Sequence, residues 1–114
     1  MMPKQNRVLL KLVALKRQKA EQDLAIAQAR LRTLQVGLAN LQAQLEAADG
    51  SGRDFQSLSL SSRNGHVQRL LANAAEQCDL IEQAQVCVAD AKENLKRILN
   101  SQDQLTAMGS ALRR

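Results

Sequence analysis

The sequence predicts an all-α chain, a long antiparallel two-helix coiled-coil hairpin, and three observations carry that expectation. Apolar residues at Ala20, Leu24, Ala27, Leu31, Leu34, Leu38, Leu41, Leu45 and Ala48 recur at alternating steps of three and four. This heptad spacing gives a helix one apolar seam. A second run follows a break rich in serine and glycine: Val67, Leu70, Ala74, Gln77, Ile81, Ala84, Val88, Ala91, Leu95, Ile98, Gln102 and Leu105. Third, the two helices the sequence predicts, over residues 4–48 and 66–108, are closely matched in length, as a chain that doubles back on itself requires.

The elements follow in order within a single domain, residues 1–114. Helix one is expected over residues 4–48, opening just after Pro3, a residue tolerated in a first helical turn. Asp49-Gly50-Ser51-Gly52 should end it, with Gly50 supplying a left-handed cap. Residues 49–65 read as a loop rich in Ser, Gly and Asn, with room for a short helical turn from Phe55 to Leu60. Ser62 or Asn64 would then cap helix two, expected over residues 66–108 and closing before Gly109.

Folding the chain back pairs Ala20 with Leu95, Leu24 with Ala91, Ala27 with Val88 and Leu31 with Ala84. It continues with Leu34 and Ile81, Leu41 and Ala74, Leu45 and Leu70, Ala48 and Val67. Large residues repeatedly face small ones, so the helix axes can approach without voids or strain. Arg17, Gln77 and Gln102 interrupt the seam. Polar residues there penalise slipped registers at a cost in stability, and Arg17 is also open to a functional contact.

Composition agrees with a narrow seam. Apolar residues make up 45% of the chain, yet it has one Phe and no Trp or Tyr, which leaves little bulk for a rounded core. No apolar run is long enough to span a membrane. The basic start, interrupted by lysines and without a small-residue cleavage site, does not read as a signal peptide. Cys78 and Cys87 fall on opposite faces of the second helix, with backbones about 13 Å apart. That separation forbids a disulfide or a shared metal, and free thiols suit a reducing cytoplasm.

The sequence offers no footing for catalysis, cofactor or metal. His66 is the lone histidine and reads as a solvated residue at the junction of loop and second helix. Gly50-Ser51-Gly52 follows a helix, not a strand, so it is turn chemistry and not a phosphate cradle.

Charge and apolar surface are concentrated at one pole. Lys4, Arg7, Lys11, Lys16, Arg17 and Lys19 precede the first acid, Glu21, and Arg113 and Arg114 return to the same end in a hairpin. Interleaved are Val8, Leu9, Leu10, Leu12, Val13 and Leu15. Leu10 and Val13 can enter the seam, whereas one partner helix cannot cover Leu9, Leu12 and Leu15. These should stay exposed, with Leu99 and Met108 beside them. An apolar surplus ringed by charge marks a contact site. Self-association into a four-helix assembly and a basic amphipathic stretch on a membrane surface are its alternatives. Nucleic-acid binding is disfavoured: the sequence pI is about 9.8, but no aromatic platform or recognition motif accompanies the charge. At the other end Phe55, Leu58 and Leu60 sit among serines, either folding over the helix ends or docking a partner.

The opening Arg7-Val8-Leu9-Leu10-Lys11-Leu12-Val13-Ala14-Leu15-Lys16-Arg17 resembles the basic, leucine-rich start of the FliJ/YscO family of small type III secretion proteins. The alanine- and glutamine-rich stretches from Glu21 to Ala48 and from Val67 to Leu99 extend the resemblance over nearly the whole chain. It implies a cytoplasmic stalk, peripheral to the inner membrane through the flagellar or virulence export apparatus. The open end of such a hairpin enters the hexameric export ATPase, and the protein links that ring to the export gate or escorts chaperones. Carried over, the ring contacts are Val8, Leu9, Lys11, Leu12, Leu15 and Lys16, and the gate-side contacts Phe55 and Leu58. A generic coiled-coil scaffold or assembly chaperone, oligomerising through its N-terminal face, is the other reading of the same residues.

Overall fold

A computed structural model describes the backbone of residues 2–51 and 60–112 and the side chains of residues 6–48 and 65–109. The chain is an all-α, antiparallel two-helix hairpin, in which α1 spans Met2–Ser51 and α2 spans Leu60–Leu112. It divides into two compact units. The terminal unit joins Met1–Ala29 to Val86–Arg114, and the central unit is Arg30–Gln85.

Both helices outrun their expected limits, with 50 residues in α1 and 53 in α2. Helix one was expected to stop at residue 48 under a left-handed Gly50, but α1 continues through Gly50 to Ser51, and no described glycine has a positive φ. Of the segment 49–65 expected as a loop, residues 60–65 form the first turns of α2. Ser62 and Asn64 therefore lie inside the helix, and His66 follows a full turn and more of helix. The reason is energetic: Ser and Asn cost only about 0.5 kcal/mol each in a helix relative to Ala. Extending an existing helix is far easier than nucleating one. The turn expected between Phe55 and Leu60 falls on residues 52–59, outside the described residues, except that Leu60 opens α2.

The seam forms at the heptad stations. In the terminal unit Leu10, Val13, Arg17, Leu24 and Ala27 are half-buried on α1, as are Ala91, Leu95, Ile98, Gln102 and Leu105 on α2. Ala20 and Val88 are buried there. In the central unit Leu31, Leu34, Leu38, Leu41, Leu45 and Ala48 are half-buried, with Val67, Ala74, Gln77 and Ile81 on α2. Leu70 and Ala84 are its buried residues. Among the described residues the buried positions are thus two alanines, one valine and one leucine. A single facing helix covers only the middle of its partner, so larger seam side chains keep one flank in water.

Specific contacts fix the antiparallel register inside each unit. In the terminal unit, a Cβ built on Gly109 would lie 2.6 Å from Asn6 Nδ2, which sets face to face two residues that each lie fourteen positions beyond the expected pair Ala20 and Leu95. Arg17 Nη1 donates to Gln102 Oε1 at 3.0 Å, so two of the three polar interruptions satisfy one another. Arg17 Nε is shielded from water and sits 3.6 Å from Glu21 Oε1, an ion-pair distance without a hydrogen bond. In the central unit, Gln77 Nε2 donates to the backbone carbonyl of Leu34 at 2.9 Å. That amide lies where a side chain at Gly37 would project, 2.6 Å from a built Cβ.

Candidate functional site

The N-terminal half of α1 within the terminal unit carries the candidate site. It is helical for a simple reason: leucine, alanine, lysine, arginine and glutamine, all strong helix formers, supply most of residues 7–22. A straight helix then sorts them by angle. Leu10, Val13, Arg17 and Ala20 turn toward α2. Val8, Leu12 and Leu15 turn away and are 57, 50 and 63% exposed. Leu9 lies at the edge of the seam and is 46% exposed.

The expectation that a single partner helix leaves these leucines bare therefore holds at each named position, including Leu99 and Met108 on α2. Lys11 and Lys16 are exposed beside Leu12 and Leu15. Arg17 differs from the other candidates. Its hydrogen bond to Gln102 draws the guanidinium into the seam, while Glu21 lies at ion-pair distance. Alongside Leu15, an open depression is lined by Lys11, Ala14, Arg17, Gln18 and Glu21. The depression thus sets the apolar Ala14 and Leu15 beside two cations, Lys11 and Arg17, and one acid, Glu21.

Of the other candidates, Phe55 and Leu58 lie outside the described residues, as do Arg113 and Arg114. Cys78 and Cys87 are free and exposed. Among the described residues no group of three or more His, Cys, Asp or Glu could hold a metal ion. No described helix is long and apolar enough to cross a membrane.

Four exposed apolar residues were not singled out in the sequence: Ile26 in the terminal unit's α1, Val86 in its α2, and Val36 and Leu71 in the central unit. Ile26 was legible. It falls fourteen residues after Leu12, two heptads along the same outward face.

Compared with known proteins, the chain matches no family model, no curated protein and no solved structure. Its functional reading therefore rests on the geometry above and on the resemblance of its opening residues.

Proposed function

We propose that the chain is a non-enzymatic coiled-coil hairpin that binds a protein partner through the basic, leucine-rich face of its terminal unit. The partner implied by the resemblance is the hexameric ATPase of a flagellar or virulence type III export apparatus, entered as a stalk enters a ring, at the cytoplasmic side of the inner membrane. One observation carries the reading: Val8, Leu12 and Leu15 are at least half exposed beside Lys11 and Lys16. These three large apolar side chains stay about half in water, so a docked partner that covers them recovers roughly half of the 1.5–3 kcal/mol that full burial of each is worth.

A scaffold or assembly chaperone that oligomerises through this face draws on the same residues, together with exposed Leu9, Leu99 and Met108. Affinity capture with a purified type III export ATPase separates the two. Wild type should retain the ATPase, and Leu12→Asp with Leu15→Asp should lose it while circular dichroism stays unchanged. A wild-type chain that captures no ATPase, and sediments as an oligomer that the double variant dissociates, would establish the scaffold instead.

A further inference from the structure

The outward face of α1 in the terminal unit is patterned as a second coiled-coil seam. If Leu10 is assigned heptad position a, the seam toward α2 occupies a and d. Val8, Leu12, Leu15, Lys19, Gln22 and Ile26 then occupy positions f and c in strict alternation of four and three. Positions c and f lie about 150° around the helix from a and d. Four of these six stations are large and apolar, one is charged, and Val8, Leu12, Leu15 and Ile26 are all at least half exposed.

The other helix of the same unit shows what a solvated face looks like. At the equivalent outward stations of α2 from Val86 to Ala107, three of seven residues are charged: Asp90, Glu93 and Arg97. The two helices pair with each other in the same unit, so the contrast belongs to α1. The stripe is also two stations per heptad wide, the width of a coiled-coil seam and narrower than the face a helix lays on a bilayer.

We infer that this stripe docks one α-helix of a partner protein, about 20 residues long, apolar at heptad spacing and flanked by acidic residues. The length follows from Val8 to Ile26, about 27 Å of helix. The flanking chemistry follows from charge. Lys11 and Lys16 stand on the two sides of the stripe and Lys19 within it, against one acid, Asp23, near its far end. Those flanking places recognise glutamate or aspartate on a facing helix. A second copy of this chain would set lysines against lysines, at a cost. The inference deepens the docking reading above by naming the partner's contact element. It shares Val8, Leu12 and Leu15 with that reading, and Ile26 is its own.

The test uses the full chain and two fluorescein-labelled synthetic helices of about 21 residues, leucine at heptad stations, with either glutamate or lysine flanks. Fluorescence anisotropy should show the glutamate peptide binding, the lysine peptide binding about tenfold or more weaker, and Ile26→Asp weakening the glutamate peptide by about tenfold or more with helicity unchanged. Equal binding of both peptides, or no effect of Ile26→Asp, overturns the inference. So does a wild-type dimer that Ile26→Asp dissociates, or phosphatidylglycerol vesicle binding that Ile26→Asp abolishes. The outcomes also separate the two readings. ATPase capture that survives Ile26→Asp but not Leu12→Asp with Leu15→Asp keeps the export role and removes the second seam. Selective peptide binding without ATPase capture does the reverse.

Discussion

Gln77 reaches across the central unit to the backbone carbonyl of Leu34, 2.9 Å away, through the notch left by the missing side chain of Gly37. A seam glutamine would ordinarily leave its amide among apolar neighbours. Here the extended side chain finds an acceptor because residue 37 contributes no Cβ to block it. The pair works only in one register: a shift of one turn sets the amide against a side chain.

Gly37→Ala tests this. The new methyl group would come within 2.6 Å of Gln77 Nε2, so the amide must move and its bond, worth about 0.5–1.5 kcal/mol, is lost. Alanine recovers about 1 kcal/mol of helix propensity. Stability measured in urea should therefore change by less than about 1 kcal/mol, while Gly37→Ala with Gln77→Ala gains about 1 kcal/mol over Gln77→Ala alone. A loss of several kcal/mol in the single variant would show that Gly37 is needed for something other than Gln77.

Leu70 and Leu71 are sequence neighbours with opposite fates, 5% and 54% exposed. Leu70→Ala should destabilise the hairpin by about 2–4 kcal/mol through lost burial and the cavity left in the seam. Leu71→Ala should stay within about 0.5 kcal/mol. Equal losses in paired urea titrations would contradict the seam as placed.

Arg17 and Gln102 give up apolar burial for a mutual hydrogen bond. Replacing both with leucine should raise stability by roughly 1–2 kcal/mol, at the expense of register specificity. Cysteine cross-linking at neighbouring seam stations should then yield off-register products in the double variant and one product in wild type. A stability loss would mean that the polar pair outweighs the burial it displaces.

Both thiols are free and exposed on α2. Cys78 and Cys87 should react with a thiol reagent in the native chain about as fast as in urea, and mild oxidation should give intermolecular disulfides only, since residues nine apart on one helix cannot bridge. Protection of either thiol in the native state would reveal a surface covered by something else.

The interior was the most legible part of the sequence. Every seam residue from Leu10 to Ala48 and from Val67 to Leu105 that the heptads select is half-buried or buried. A three–four repeat leaves one continuous line on a helix, and large–small alternation selects the partner line. The ends were less legible. Ser61, Ser62 and Asn64 look like loop by composition, yet they extend α2, because propensities of a few tenths of a kcal/mol yield to an adjoining helix. The mutual bond of Arg17 and Gln102 required the register as well as the pattern. Ile26 was harder to read because the stronger a/d repeat runs through the same stretch of chain on the opposite face.

The folding-back of one chain is tested most directly by spin labels at Gln18→Cys and Arg97→Cys, both in the terminal unit, with Cys78 and Cys87 replaced by serine. Helix axes in contact lie about 8–10 Å apart, so the account predicts one short interlabel distance of about 2–3 nm that survives dilution with unlabelled chain. A distance of many nanometres, or a short one that disappears on dilution, would contradict it.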